Sequence, residues 1–569
     1  MGPAALAVLL AVTATAPRVP GGLLPGTRAG GGRVLPAPAM DKDLGVTFEL
    51  STCFWDPPPS GLLPVRVDVR NDSRRSYEWT ATFTASAGYH RYGTSYRSSH
   101  ALAVPAGSSR RFDLLVPLHA GAPASGRANS LQVAFDGPGS PANPVSLFMN
   151  NYYLHSGAGH RAHTAWIGVS ESLGAAHWET AKTLAGSRDS LLLVGSRFET
   201  ACLPADWRSY VGFDALALTA DEWRDLDAGA RTGIERWVAR GGRLWLAGGP
   251  ALPQRLGFGE IEGLAPREGW TAATLADAVV HLRASAADDY SSWSLASEMA
   301  APVFPKGLML AFIAGFALLV GPVNLFAFCR RQNRHRIFWT TPLLSMGASL
   351  GLAALILLQD GTGGRGERAA VVGLLPERHE EVLLQEQLSR TGLLLRSRFQ
   401  PSEPLWMEPI EGTPDTSGGP RGMQLARTGD VFSGDWFVSR ALQAQRVEAV
   451  RSSRSRLELE EKPGEPPRLV STVPDTLAEA YYIDADARYW RAENVEPGRG
   501  ARLAPATEAD FTLWWEKATA HHGPALEAAT GRRSPGTIFA AARASTSPVA
   551  TLGSIRWRDR GVLYVQRSR

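Results

Sequence analysis

Cysteine and lysine are both scarce in this sequence. Three cysteines in 569 residues are too few for a disulfide framework. Only five of the 59 basic residues are lysines, and 55 acidic residues reduce the formal net charge to +4. So small an excess does not favour a nucleic-acid partner. The length is enough for about three or four domains, each with its own core.

Motifs for nucleotide or metal binding are also absent. The glycine runs Gly30–Gly32 and Gly361–Gly366 follow no predicted strand and open no helix, so neither reads as a P-loop or dinucleotide-binding turn. The histidines within His155–His177 fit no helical His-x3-His spacing and have no paired carboxylate or cysteine. His521-His522 is interpreted as favourable charge near a helix C-terminus. The sequence therefore predicts no cofactor and no metal.

The sequence offers no convincing nucleophile. Cys202 lies in a loop without flanking glycines, which is typical of an idle thiol. Ser170 has the first half of a nucleophile elbow, but Ser172 replaces the second glycine that the tight turn needs. The adjacent acids Asp221-Glu222 do not converge on one bond. No catalytic residue is predicted.

Charge is missing from two long apolar runs, Gly307–Phe328 and Ile337–Leu358. At about 1.5 Å per residue, each covers the roughly 30 Å hydrocarbon core of a bilayer. Two buried helices of a soluble protein are the alternative, but core helices seldom stay uncharged for so long. The runs predict a transmembrane helical hairpin, residues 307–358.

The loop between these runs carries four arginines and no acid: Arg330, Arg331, Arg334 and Arg336. By the positive-inside rule this loop is cytoplasmic. The prediction is a two-pass protein of the inner (cytoplasmic) membrane, with both large flanking regions extracytoplasmic. Cys53 and Cys202 then share the oxidising side, and whether they pair stays open.

Four residues are predicted to shape the packing of the hairpin: Gly321, Pro322, Asn324 and Pro342. A proline removes one backbone hydrogen bond, and Asn324 can hydrogen-bond across to the partner helix. Neither span carries an ionisable residue, which argues against transport through the hairpin itself.

Before the hairpin, composition and periodicity divide the chain into four parts. Residues 1–39 are predicted to be an export signal and linker, with cleavage after Ala16 or after Ala39. Residues 40–155 show short alternating runs separated by turn signals, which indicates an antiparallel β-sandwich. Residues 160–285 alternate β and α patterns and predict a parallel sheet, with a helix over Asp227–Arg240 closed by two glycines. Residues 286–306 form a juxtamembrane linker with Trp293 and Phe304 as interfacial anchors.

After the hairpin, residues 365–569 predict a β-rich domain with one amphipathic helix, Glu508–Ala520. Among its predicted strands is Leu393–Arg398, and Glu380–Arg390 fits a strand or a helix. A C-terminal hairpin is expected to turn over Arg558–Gly561.

Three stretches resemble known families. Pro64–Asn71, with the turn at Val104–Phe112, is similar to the immunoglobulin-like modules of bacterial surface proteins. Tyr210–Gly249, which ends in "WVARGGRLWLAGG", resembles the class I glutamine amidotransferase-like fold. Catalytic members carry a cysteine at the turn that corresponds to Ala247–Pro250. This turn has no cysteine, serine or threonine, so the domain is expected to be degenerate.

The hairpin sequence "GPVNLF…RRQNRHRIFWTTPL" resembles two-helix bacterial membrane proteins with an outer amidotransferase-like domain and flanking β domains. Their relatives often accompany ABC transporters. The resemblance implies a non-catalytic, membrane-anchored extracytoplasmic component that recognises or scaffolds other envelope proteins. Its expected partners are the lipid bilayer and other membrane or envelope proteins. The alternative is an envelope hydrolase or amidase that uses the α/β domain.

Overall fold

The protein is strand-rich, with several sheets and two long apolar helices. The computed structural model describes residues 32–58, 60–87, 94–118, 129–150, 164–173, 192–249, 253–264, 290, 293–299, 306–328, 334–410, 423–460, 466–531 and 533–567. The predicted signal segment, the histidines at positions 155–163 and 177, and Phe304 lie outside these residues.

Two sheets pack face to face in the N-terminal region. Its strands are β1 (Arg33–Leu35), β2 (Val46–Thr52), β3 (Leu62–Asn71), β4 (Tyr77–Ala87), β5 (Ser95–Val104), β6 (Ser108–Pro117), β7 (Asn129–Asp136) and β8 (Val145–Asn150). One sheet has the order β1-β2-β3-β6, and the other contains β5-β4-β7-β8. The Phe48 ring joins them, 5.1 Å from Trp79 and 5.2 Å from Phe135. The predicted antiparallel alternation is confirmed here.

The next region contains a mainly parallel sheet of order β10-β9-β11-β12-β14-β13, in which only β13 is antiparallel. Its elements are β9 (Thr164–Ser170), β10 (Leu192–Phe198), β11 (Ala215–Thr219), α1 (Ala220–Asp225), α2 (Ala228–Arg240), β12 (Arg243–Ala247), β13 (Gln254–Leu256) and β14 (Gly259–Leu264). The predicted helix matches α2, because Asp227 caps its first turn and Gly241 ends it at φ +138°.

Three helical elements follow: α3 (Ser294–Glu298), α4 (Lys306–Leu318), which continues as π-helical turns over Leu319–Phe328, and α5 (Ile337–Asp360). The prediction for Trp293 is wrong. Its side chain is buried, stacks edge-on against Tyr290 and donates from Nε1 to the His521 carbonyl. An indole held in the core cannot anchor the chain at a membrane surface.

The C-terminal region is dominated by a nine-stranded sheet of order β17-β20-β16-β15-β28-β27-β23-β24-β26. The elements after α5 are β15 (Gly364–Leu375), β16 (Glu380–Thr391), β17 (Leu405–Ile410), β18 (Gln424–Thr428), β19 (Val431–Gly434), β20 (Leu442–Ser452), β21 (Leu457–Glu460), β22 (Arg468–Ser471), β23 (Leu477–Ile483), β24 (Tyr489–Val495), β25 (Gly500–Arg502), β26 (Ala504–Ala506), α6 (Glu508–Thr519), α7 (Pro524–Thr530), β27 (Thr537–Ala542) and β28 (Ile555–Arg567). Helix α6 confirms the amphipathic prediction.

Of the two alternatives left open for Glu380–Arg390, the strand is the one observed, throughout the run. Two predictions for this region need correction. Leu393–Arg398 is not a strand. The expected terminal hairpin is one continuous strand, β28, paired with β27 and with β15. Its polar run at Arg558–Gly561 is a bulge rather than a turn, because the register to β15 slips by one residue there.

One sheet combines strands from before and after the apolar hairpin. Strand β18 pairs in parallel with β5, with Gln424 opposite Ser95 and Arg427 opposite Ser98. The sheet order there is β19-β18-β5-β4-β7-β8. The chain that follows the apolar hairpin therefore completes a sheet that begins before it.

Candidate functional site

The carboxyl end of the parallel sheet is the first place to look for chemistry, because open α/β sheets bind ligands there. Strand β12 ends at Ala247, and Gly248 follows in a left-handed turn at φ +75°. This is the turn at which the resemblance expects a nucleophile. A Cβ added at Gly248 would meet nothing within 4 Å, so the turn has room for a side chain and carries none.

Ser170, at the end of β9, points its hydroxyl at a carboxylate. Its Oγ donates to Glu222 Oε2 over 2.8 Å, and Ser172 Oγ lies 3.4 Å away. The same Glu222 oxygen also accepts the Thr219 N–H and hydroxyl. Because the Glu222 N–H donates to Thr219 Oγ1 in return, the two residues form the capping box of α1. The arrangement explains Ser170 as part of a helix cap.

Cys202 and Cys53 come together although they are far apart in sequence. Phe54 forms a backbone bridge to Phe198, and Trp55 N donates to the Arg197 carbonyl over 2.9 Å, so the two cysteine-bearing segments run side by side. Burial raises the pKa of the Cys53 thiol well above its usual value, whereas the hydrogen bond with Cys53 lowers the pKa of the Cys202 thiol. Within the part of the chain that the structure describes, no imidazole is hydrogen-bonded to Cys202 or Ser170.

The two apolar helices expose most of their hydrophobic side chains. Windows at Leu310–Phe328 and Ile337–Leu355 are long and apolar enough to cross a membrane, with 6% and 0% of their residues buried. Core helices of a soluble protein would be mostly buried. In length, composition and exposure, the two helices are compatible with membrane spans.

Polar groups join the helices near the loop. Asn324 is 1% exposed and donates from Nδ2 to Thr341 Oγ1 over 2.9 Å. A Cβ at Gly321 would meet nothing within 4 Å, so Gly321 marks no close helix contact in this structure. Pro322 and Pro342 lie within helical turns on exposed faces. Arg334 and Arg336 form a short turn before α5, while Arg330 and Arg331 lie outside the described residues.

Helix α2 is bound to the sheet that follows the hairpin by ion pairs. Arg236 Nε contacts Glu380 Oε1 at 2.7 Å, and Arg240 makes two hydrogen bonds to Glu448, one of them 2.9 Å from Nη2 to Oε1. Both acids are buried. Arg378 extends the set to Glu235 at 2.7 Å. These pairs join residues far apart in the sequence, so no local pattern could have predicted them.

A cleft of about 530 Å³ lies beside these pairs, between the β13–β14 turn and the C-terminal sheet. Arg255, Arg378 and Arg456 line it. Each contacts an acid, at 3.9 Å for Arg255 with Glu260 and 2.8 Å for Arg456 with Glu458. The cleft is basic in composition, but these three cations are already paired.

One buried acid was not predicted from the sequence. Glu386 accepts the Tyr290 hydroxyl over 2.7 Å and the Gly523 and Ala525 N–H groups, and burial raises its pKa. The interpretation of His522 as a favourable charge at a helix end is wrong, because the ring is buried with neither nitrogen hydrogen-bonded, and burial lowers its pKa to about 3. Among the described residues, no group of three His, Cys, Asp or Glu side chains could hold a metal ion.

Comparison with known proteins finds only weak similarities. No family model and no curated protein matches the chain. The sporulation control protein Spo0M from Bacillus subtilis is 13% identical over 19% of this chain and 49% of its own, with a TM-score of 0.14. The structural genomics target SoR45 is 8% identical over 21% of this chain and 97% of its own, at 0.13.

Bacteroides uniformis beta-glucuronidase 2 is 11% identical over 36% of this chain and 23% of its own, with a TM-score of 0.14. The chain thus spans about half the length of Spo0M and a smaller part of the glucuronidase. Similarities at this level support no inference about fold or function.

Proposed function

We propose that the protein is a non-catalytic component of a bacterial envelope complex, anchored by a two-pass helical hairpin and facing outward from the inner membrane. Its function in that complex is to recognise or scaffold other envelope proteins. One observation carries the proposal: the regions before and after the exposed apolar hairpin share a sheet through β5 and β18. Two crossings return the chain to its starting side, which such a shared sheet requires.

The orientation rests on the loop arginines. Arg330, Arg331, Arg334 and Arg336 lie between the spans without an acid, and Lys/Arg-rich short loops stay in the cytoplasm. Both folded regions then face the extracytoplasmic side. The exposed helix surfaces are available to lipid and to helices of a partner, such as a transporter of the ABC type.

The non-catalytic part of the proposal rests on the parallel sheet. An amidotransferase-like domain would use the turn after β12, and Gly248 leaves it without a reacting group. Ser170 is engaged by the cap at Glu222. An immunoglobulin-like sandwich in front of such a domain fits binding or spacing better than turnover.

Topology is tested with paired reporters in a bacterial host. Alkaline phosphatase fused after Arg569 should be active and a fluorescent protein fused there dark, whereas both signals should reverse for fusions at Arg334. Replacing the four loop arginines by alanine should weaken this bias, and replacing four arginines of the sandwich should not. A reporter after Arg569 that is active only in the cytoplasm would refute the proposal.

Partnership is tested by purification in mild detergent with quantitative mass spectrometry. Wild-type protein should bring down defined membrane or envelope proteins that do not copurify with an unrelated two-pass protein at equal expression. A protein that always purifies alone would contradict a role in a complex. An activity-based fluorophosphonate that labels wild type but not Ser170→Ala would instead favour the hydrolase alternative.

A further inference from the structure

The loop between β16 and β17 presents leucines to solvent. Leu395 is 81% exposed, the highest value among the exposed large hydrophobic residues that the structure describes, and Leu393 is 37% exposed. Leu394 between them turns the other way: its side chain packs against the core, and its N–H donates to Ser439 Oγ over 2.9 Å. Leu393 and Leu395 therefore point toward solvent, while the contacts of Leu394 fix the backbone between them.

This loop is tied to the end of the second apolar helix. Helix α5 ends at Asp360, and the Leu393 N–H donates to the carbonyl of Gly361, the next residue, over 3.0 Å. Gly363 N donates back to the Leu393 carbonyl over 3.0 Å, and Gly392 N to the Gly363 carbonyl over 2.7 Å. Leu393 is therefore hydrogen-bonded to the residue directly after α5, at the point where the chain leaves the bilayer.

The same loop is basic. Arg396 and Arg398 follow the leucines, both are exposed, and no acid occurs from Gln387 to Ser402. Exposed leucines beside arginines are the composition of segments that lie in the headgroup region, with apolar groups toward the acyl chains and cations on phosphates.

We propose that Leu393–Arg398 is a membrane-interface loop: Leu393 and Leu395 insert into the outer leaflet, and Arg396 and Arg398 bind phosphate groups of anionic lipids. The inference rests on the proposed function, because it requires α5 to span the bilayer. This loop, instead of the buried Trp293, anchors the protein at the outer surface of the membrane.

Lipid fits this surface better than a protein partner does. Two leucines cover far less than the roughly 1,000 Å² of a specific protein interface. A loop already held at the bilayer by a hairpin needs little area, because tethering raises its effective concentration at the surface.

The experiment places spin labels on the full-length protein in lipid nanodiscs. Leu395→Cys is labelled in a Cys202→Ala, Cys329→Ser background, and collision rates with oxygen and with a polar nickel chelate are compared. Leu318→Cys in α4 reports hairpin insertion. Ala106→Cys, at an exposed turn of the sandwich, is the water-exposed control.

In nanodiscs containing phosphatidylglycerol, the oxygen-to-nickel ratio at position 395 should exceed that at 106 several-fold. Arg396→Gln/Arg398→Gln should lower it with phosphatidylglycerol but not with phosphatidylcholine alone. A lipid-exposed label at 318 with a water-exposed label at 395 overturns this inference and leaves the hairpin intact. A water-exposed label at 318 overturns the proposed function as well. An immobilised label at 395 that neither reagent reaches indicates a protein contact and also overturns the inference.

Discussion

The ion pair between Arg240 and Glu448 should be one of the strongest single links between the regions before and after the hairpin. Glu448 is 3% exposed, and the Arg240 side chain retains 17% exposure. Removing one partner of a buried pair costs about 3–5 kcal/mol, because the other charge stays buried without compensation. Water can approach the Arg240 side, so we expect Arg240→Met to cost about 3 kcal/mol, at the lower end of that range.

The reverse change should be milder. In Glu448→Gln the amide oxygen keeps one hydrogen bond from Arg240, whose side chain is partly exposed to water, so the expected cost is about 1–2 kcal/mol. The double variant Arg240→Met/Glu448→Met should lie near wild type, since apolar replacement of a buried pair is often neutral or better.

Detergent-purified protein would be unfolded by heat and by urea, followed by tryptophan fluorescence. Wild type, Arg240→Met, Glu448→Met and the double variant form the double-mutant cycle, and Glu448→Gln is measured beside them. The control is the pair Arg224–Asp221, whose N···O distance of 2.8 Å is normal but whose side chains are 72% and 81% exposed. Arg224→Met should leave stability unchanged. If Arg240→Met is no more damaging than Arg224→Met, or if the double variant is not rescued, the two regions are not held together as described.

Three further predictions concern single sites. Oxidised glutathione should convert Cys53 and Cys202 to a disulfide, which is measured as the loss of two alkylatable thiols under denaturing conditions. The loss should be absent in Cys202→Ser. Because the disulfide closes a long loop, it should raise the free energy of unfolding by at most about 5 kcal/mol. Asn324→Ala and Thr341→Val should each weaken the hairpin in bilayers by about 0.6–1.7 kcal/mol, with no further loss when combined, as measured by steric trapping. The folded-state pKa of His522, about 3, lies below that of the unfolded chain, so the unfolded state binds the proton first as pH falls. Stability should then drop by about 1.4 kcal/mol per pH unit from pH 6.5 toward 3, and His522→Phe should flatten that slope in acid unfolding curves.

Local signals in the sequence predicted the elements that depend on local physics. Helix α2 was placed correctly because an Asp N-cap and a glycine C-cap bracket it, and α6 because its apolar residues recur at helical spacing. Strand β3 follows a period-two pattern that matches its buried and exposed residues. The two spans of the hairpin stood out because neither contains a charged residue.

Long-range contacts account for what the sequence could not predict. In the sequence, Trp293 has the position of an interfacial aromatic. In the fold, the chain near His521 covers it and accepts its Nε1–H. Strand β28 looked like a hairpin because a bulge and a turn use the same polar, glycine-containing residues. Glu380–Thr391 is buried along nearly its whole length, polar residues included, because partners from three parts of the chain satisfy them; for example, Gln385 bonds to Val549.

The pairing of β18 with β5 also limits how this chain can assemble. Until Gln424–Arg427 arrive, Ser95–Ser98 form an open sheet edge, and open edges invite wrong pairing. Glu448 likewise lacks Arg240 until both regions occupy the same compartment. The number of membrane crossings between them must therefore be even, an argument that does not use the loop arginines at all. A reporter inserted after Met299 and one fused after Arg569 should always agree, even in a variant whose overall orientation is inverted; disagreement in folded protein would mean that β18 and β5 do not pair.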